Sequence, residues 1–389
     1  MLERELCTGC SLCAAICPVH AITMRVDNYG ASYPEVEEKT CIHCGLCETR
    51  CPTWQIEHGR KGTAQILEVW AAQLREESLR RESSSGGVFT ALAQQVLQHD
   101  GAVIGCAMSE NCREALHIVI ERVEDLQRLR GSKYLQSSMG NILQATQALL
   151  RTGRPVLFSG TPCQVAALDS LLGEKRPENL WMVDFICHGV PLPGLWRRYL
   201  EEQEHKQGAT VREAHFRYKG NGWKIFSLRL CFADGQSYVG RVTEDPYLRG
   251  FISNCYLRPS CHHCKIRADQ YRSDLTVADF WGVEKNHPDW NDDAGTSLVV
   301  VHTEKGREAL RQAAPALRVL PLDKEDALRE NPSYYHCVAP NPLRCKVMNE
   351  LETQPFDRVI KRYYGSTIMA KIRRRFWGKM LQHYRVVQK

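Results

Sequence analysis

The stretch Cys7-Thr-Gly-Cys10-Ser-Leu-Cys13-Ala-Ala-Ile-Cys17-Pro18 is written a second time as Cys41-Ile-His-Cys44-Gly-Leu-Cys47-Glu-Thr-Arg-Cys51-Pro52, 34 residues further on. Each copy has the spacing C-x2-C-x2-C-x3-C-P, with which three thiolates close on one iron–sulfur cluster while the fourth reaches the neighbouring cluster. On that pattern Cys7, Cys10, Cys13 and Cys51 hold one [4Fe-4S] cluster, and Cys41, Cys44, Cys47 and Cys17 hold the other. The chemistry implied is one-electron transfer. Zinc competes for any C-x2-C pair, but eight cysteines in two intact copies exceed what tetrahedral zinc sites display.

A duplicated word of this kind marks a pseudo-twofold module, and the segment resembles bacterial two-cluster ferredoxins. The rest of the 389 residues, with 43% of the chain hydrophobic, leave room for at least one domain with a full core. No stretch reaches the apolar length of a membrane-spanning helix, and no secretory apolar run precedes Cys7, so a cytoplasmic protein is expected. In a chain of this length without a signal sequence, 18 cysteines point to metal ligation in a reducing compartment rather than to disulfides.

The net charge of +6 is unevenly placed. Basic residues dominate from Leu343 onward and culminate in Lys371-Ile-Arg-Arg-Arg375-Phe-Trp-Gly-Lys379. Residues 366–387 have the pattern of an amphipathic basic helix, with Ile368, Ile372, Phe376, Trp377, Met380 and Leu381 broadly on one side. Such a tail docks on its own core, on a partner, or on an anionic membrane surface as a peripheral contact. No nucleic-acid-binding motif accompanies the charge, and no nucleic-acid partner is expected.

The polar segment 55–65, with Gly59 and Gly62, places a domain boundary near residue 60. The expected class is α+β: a ferredoxin-like module over 1–60, a mixed α/β domain over 61–340 in two parts (61–150 and 151–340), and a basic helical tail over 341–389. The spacing predicts a helix over 88–98 and a strand over 102–106. It then predicts a strand over 155–158, a helix to about residue 172 and a strand over 180–186. Such a strand–helix–strand unit crosses over right-handedly into one parallel sheet. Cys163 and Cys187 therefore emerge at the same carboxyl edge, where open α/β sheets bind ligands. Residues 225–232 and 236–241 flank Ala233-Asp-Gly235 as a hairpin. Strands over 275–278 and 297–302 and a helix over 304–313 complete the domain.

Cys261-His-His-Cys264 is a third ligand signal, and with Cys163 and Cys187 it assembles four cysteines from three segments. A third [4Fe-4S] cluster, zinc with His262 or His263 in place of a cysteine, and plain buried thiols are all compatible with the residues alone. Cys255 is a rival fourth ligand. Cys106, Cys112, Cys231, Cys337 and Cys345 lack ligand spacing. Cys187-His188 has the composition of a nucleophile and base, but neighbours at a strand end point to opposite faces. Ser83-Ser84-Ser85-Gly86-Gly87 ahead of a helix suits a phosphate or pyrophosphate, or simply caps the helix. Lys133 and Tyr134, in Gly131-Ser-Lys-Tyr134, offer a cation and an aromatic ring beside a ring cofactor, or a surface turn. A Walker loop and a complete dinucleotide fingerprint are both absent, so a Rossmann-bound nicotinamide is not indicated.

Read in order, Ser84-Ser-Gly-Gly87, Gly131-Ser-Lys-Tyr134, Phe158-Ser-Gly-Thr-Pro-Cys-Gln164, Asp184-Phe-Ile-Cys-His-Gly-Val-Pro191, Arg258-Pro-Ser-Cys-His-His-Cys264, Ser273-Asp-Leu-Thr-Val-Ala-Asp-Phe-Trp-Gly282 and Asp293-Ala-Gly-Thr-Ser297 form a series. With them the chain, from Cys7 to about Ala313, resembles the β subunits of the coenzyme F420 (deazaflavin) hydrogenase/dehydrogenase family in the form with an N-terminal two-cluster module. The resemblance implies an FAD-containing iron–sulfur protein, with the flavin at Ser84, Ser85, Gly86, Gly87, Lys133 and Tyr134 and a polar contact from Asp279. It favours a third cluster on Cys163, Cys187, Cys261 and Cys264. It implies an oxidoreductase whose flavin trades a hydride with an organic partner while the clusters serve a redox partner protein or small carrier, and it leaves the organic substrate open. A relay subunit without its own substrate, and a metal-stabilised binding module, are the competing readings.

Overall fold

The computed structural model describes residues 2–60, 62 and 64–365. The tail predicted over 366–387 lies outside the described residues; ahead of it, the helices Arg344–Thr353 and Phe356–Tyr364 are formed.

The N-terminal module is a hairpin of β1 (Ile22–Val26) and β2 (Ser32–Val36) between the two cysteine loops. The sequence that follows builds β3 (Glu68–Leu74), β4 (Ala102–Met108), β5 (Ala115–Ile120), β6 (Ser137–Ser138), β7 (Val156–Ser159) and β8 (Leu180–Phe185). A separate sheet is made by β9 (Val211–Tyr218), β10 (Ser227–Phe232) and β11 (Ser237–Arg241), in the order β11-β10-β9. The chain then returns through β12 (Leu275–Asp279), β13 (Ser297–Val301) and β14 (Leu317–Pro321) to complete a nine-stranded sheet ordered β14-β3-β13-β12-β8-β7-β4-β5-β6. The class is the expected one, a ferredoxin-type module followed by a mixed α/β domain.

Strands β4, β7, β8 and β12 run parallel, and antiparallel strands extend the sheet on both sides. The expected hairpin is the β10–β11 pair, and the expected strand–helix–strand unit is β7, the helix Pro162–Leu172 and β8. The centre is covered on both faces, which is why β13 runs Leu298-Val-Val-Val301 after Ser297 with all five residues buried. Alternation divides β7 accordingly. Leu157 packs with the helices Val88–Gln98 and Glu304–Ala313, while Val156 and Phe158 pack with the helices Ile142–Arg151 and Pro162–Leu172.

The ferredoxin-type module is docked into this second face. Leu12, 2% exposed, lies in one core cluster with Ile104, Leu143, Phe158 and Leu168. Arg258, 1% exposed, donates from Nε to the Cys7 carbonyl (2.8 Å), from Nη1 to Gln136 Oε1 (2.8 Å) and from Nη2 to the Ser32 carbonyl (2.9 Å), with its guanidinium over the Tyr33 ring. Gly9 makes the approach possible. Its φ is +68°, and a Cβ there would lie 2.8 Å from Arg258 Nη1. Among the described residues no helix is long and apolar enough to cross a membrane.

Leu12→Ala is expected to cost about 2–5 kcal/mol by opening a cavity at this interface. Anaerobic denaturant unfolding should show the loss, and a midpoint equal to that of the unaltered protein would remove Leu12 from the core.

Candidate functional site

The duplicated sequence produces duplicated geometry. Each loop passes through the left-handed region at the same two motif positions, Gly9 and Ser11 in the first copy and His43 and Gly45 in the second. Each then enters a short helix, Leu12–Ile16 or Leu46–Thr49. Cys17 (φ −67°, ψ 114°) and Cys51 (φ −65°, ψ 121°) have the same extended backbone, as residues ahead of proline are driven to have. Cys51 of the second copy lies among the sulfurs of the first. Burial, then Cys51 and Cys7, push the Cys10 thiol up to about 12; burial, then Cys10, Cys7 and Cys51, do the same to Cys13. In the second copy the Cys47 thiol is raised by burial and Glu48 and feels Cys44. Backbone N–H groups face the sulfurs: Ala21 donates to Cys17 Sγ (3.2 Å) and His43 to Cys41 Sγ (3.4 Å). Sulfurs that raise one another's pKa and receive amide N–H groups suit a polynuclear cationic centre.

Cys163, Cys187, Cys261 and Cys264 also converge, from three segments at the carboxyl edge of the large sheet. Cys163 sits in the first turn of its helix, behind a capping box in which Thr161 and Gln164 bond reciprocally. Burial pushes its thiol up to about 12, with Cys264, Cys187 and Cys10 adding to the shift. Cys187 and Cys261 are likewise raised to about 12, first by burial and then by members of the same set. The backbone N–H of Val190 donates to Cys261 Sγ (3.4 Å), and Gly189 leaves room, since a Cβ there would lie 3.2 Å from that of Cys261. The Arg267 guanidinium offsets part of the charge beside Cys187 and donates to its carbonyl.

Among the described residues, the group of ligand atoms lying within 4.8 Å of one another is elsewhere, Glu213, His215 and Cys231 on β9 and β10. His262 Nδ1 is 3.0 Å from the Val338 carbonyl while its Nε2 is buried without a partner, and His188 Nε2 is 2.7 Å from Asn254 Oδ1. Cys255 stands apart, buried with Tyr364 and Arg344.

The remaining predicted residues lie along the same edge. Ser84 Oγ is 2.8 Å from Ser132 Oγ, and the Ser84 carbonyl accepts from Arg217 Nη2 (3.1 Å). Arg217 Nη2 also donates to Asp279 Oδ1 (2.9 Å), which accepts from Trp223 Nε1 (2.8 Å), while Arg217 and Tyr134 are hydrogen-bonded side chains. The structure thus brings Ser84, Tyr134 and Asp279 together around one guanidinium. Ser85 and Gly86 face the sheet instead. Ser85 Oγ donates to the Thr296 carbonyl, the Gly86 N–H donates to Ser297 Oγ, and a Cβ on Gly86 would meet the Ala72 carbonyl at 2.1 Å. Gly87, with φ +88°, turns the chain into its helix. Lys133 Nζ donates to the carbonyls of Arg128, Leu129, Arg130 and Gly131 (2.9–3.1 Å), and burial pulls its pKa down to about 8. Its ammonium therefore secures the end of the helix Leu126–Leu129 that positions Ser132 and Tyr134.

Arg217, Lys219, Trp223 and Trp281 were not anticipated from the sequence. Lys219 donates to the carbonyls of Arg80, Ser85 and Ala294, and burial followed by Arg217 pulls its pKa down to about 7. Trp223 and Trp281 stack with ring centroids 5.2 Å apart. The available signal was Phe216-Arg-Tyr-Lys-Gly220, two basic residues spaced i, i+2 at the end of an alternating strand.

Residues 69–144 and 153–325 match the N-terminal and C-terminal models of the coenzyme F420 hydrogenase/dehydrogenase beta subunit, and residues 6–54 match a 4Fe-4S dicluster domain. No curated protein matches the chain. Among solved structures it is similar to a chain of the F420-reducing [NiFe] hydrogenase complex from Methanosarcina barkeri, at 16% identity over 79% of this chain and 95% of that one, with a TM-score of 0.48.

Asp184, at the end of β8, is fully buried. Its Oδ1 accepts from Thr276 Oγ1 (2.6 Å), its Oδ2 has no partner, and burial pushes the carboxyl up to about 8. The folded protein therefore holds a proton that the unfolded chain releases near pH 4, and stability falls as pH rises from about 4 to about 8. Asp184→Asn should remove that part of the slope, gaining on the unaltered protein as pH rises from 5 to 8. Urea midpoints with the same pH dependence in both proteins would show that the carboxyl is ionised in the fold.

Proposed function

This chain belongs to the coenzyme F420 hydrogenase/dehydrogenase beta subunit family, and on that premise we propose that it is an FAD-dependent iron–sulfur oxidoreductase. Its [4Fe-4S] module exchanges electrons with a one-electron partner, and its α/β domain handles an organic hydride donor or acceptor. The observation that carries the reading is the mutual proximity of Cys163, Cys187, Cys261 and Cys264, with Cys10 of the first copy close enough to Cys163 to raise its pKa.

A flavin, when bound, exchanges two electrons with an organic partner and single electrons with an iron–sulfur carrier. This chain's residues supply the setting. Arg217 presents a buried guanidinium held by Asp279 and the Ser84 carbonyl, a fixed positive charge for a phosphate or an electron-rich ring. Ser84 and Ser132 offer paired hydroxyls, and the stacked Trp223 and Trp281 wall one side. Cys163, Cys187, Cys261 and Cys264, with Cys163 near Cys10 of the ferredoxin-type module, would be the ligands of a third cluster. At the far copy Cys44 is exposed and Ile42 is 59% exposed, which supports access by a partner there.

Anaerobic purification followed by iron, sulfide, zinc and flavin determination tests the reading, with about twelve irons and one FAD per chain expected. About eight irons without flavin would replace the enzyme with a relay subunit. Cys261→Ala combined with Cys264→Ala should remove about four irons and leave the signal of the ferredoxin-type module intact, whereas an unchanged iron count would refute the third site. Arg217→Leu should weaken flavin retention by about tenfold or more at unchanged iron content, since a charged hydrogen-bonding group is lost. Unaltered flavin content would take Arg217 out of the pocket.

A further inference from the structure

The three-stranded sheet carries a second kind of ligand set. In the β9–β10 register Cys231 lies directly opposite Glu213 and Arg229 opposite His215. Alternation along a strand puts Glu213 and His215 on one face, and direct pairing puts Cys231 there with them. The buried Phe216 and Leu228 occupy the other face, in the core. His215 Nε2 is 3.0 Å from Glu213 Oε2, and these atoms and Cys231 Sγ all lie within 4.8 Å of one another. Glu213 and His215 are exposed and Cys231 is half-buried, so a cation has access from solvent. The nearest basic group on β10 is turned aside: the Arg229 guanidinium lies over the Tyr218 ring, 5.2 Å from its centroid.

We propose that Glu213, His215 and Cys231 bind a thiophilic divalent cation of the zinc class, leaving a fourth position to water. One sulfur, one imidazole nitrogen and one carboxylate oxygen are the borderline-soft donors that zinc accepts, whereas magnesium and calcium require oxygen sets. The separations need only small side-chain adjustments to reach ordinary zinc bond lengths. Binding exchanges the Cys231 thiol proton, released to solvent, for the metal–sulfur bond, and the thiolate and carboxylate balance the cation's charge. The site is independent of the twelve cysteines assigned to clusters.

Its position suggests its role. The register shifts between Cys231 and Phe232, leaving Arg212 as an extra residue in β9 beside the ligands. A cation held across β9 and β10 pins the strand next to this irregularity, with its ligand His215 two residues before Arg217, and so steadies the strand that delivers that guanidinium.

The test uses the iron-loaded protein. After incubation with zinc and removal of excess metal, zinc and iron are counted together and the zinc shell is read by X-ray absorption. About one zinc per chain in a shell with a single sulfur and lighter donors is expected, lost in Cys231→Ser and in His215→Ala at unchanged iron content. Zinc should also raise the melting temperature of the unaltered protein and not of the variants. Equal zinc in variants and parent, no zinc in the parent, or a shell of four sulfurs taken from a cluster site would each overturn the proposal.

Discussion

The guanidinium of Arg258 links what would otherwise be two separate modules. Its three nitrogens donate to the Cys7 carbonyl, the Ser32 carbonyl and Gln136, and the backbone carbonyl of Arg258 accepts from the Cys261 N–H (3.0 Å). One buried residue thus touches the backbone of a ligand in the first cysteine loop and of a ligand in the last. A buried guanidinium is costly unless all its donors are paired, and here those oxygens belong to the partners that must be held in register. Gly9 provides the space, Tyr33 covers the flat face, and Gln136 Nε2 returns a bond to the Thr8 carbonyl (3.0 Å). Relative placement of the cysteine groups is therefore set by hydrogen bonds of fixed geometry rather than by a flexible linker.

The second constraint is the parallel centre of the large sheet. Because β7, β8 and β12 run the same way, Cys163, Cys187 and Asp279 all arrive at one edge. Strand β3 reaches that edge as well, through two antiparallel steps by way of β13, and delivers the Ser84 loop beside Asp279. The small sheet then lays Arg217 across the gap. No single segment contains this group of side chains, which comes together only once the topology is complete.

Local features were legible wherever chemistry or period acts over a few residues. The two cysteine loops, the helix Glu304–Ala313, the β10–β11 hairpin and the strand–helix–strand unit that carries Cys163 follow from spacing, alternation and turn residues. The meeting of Cys163 with Cys187 followed from one topological rule, and the addition of Cys261 and Cys264 from counting ligands. Arg217 escaped notice because its spacing with Lys219 does not by itself distinguish a basic residue paired with Asp279, 62 positions away, from one facing water. Cys231 escaped for the same reason, since only strand register sets it against Glu213 and His215. Lys133 was seen as a cation, but its nearest acceptors proved to be helix carbonyls, which no motif announces.

Leu12 lies inside the core of the α/β domain, and the loop that bears it also carries Cys7, Cys10 and Cys13. Closing that interface in a chain without metal presses together thiols that burial and one another already hold against ionisation. Metal binding must therefore release those protons, so loading of the first cysteine loop is coupled to pH as well as to closure of the interface that Leu12 fills.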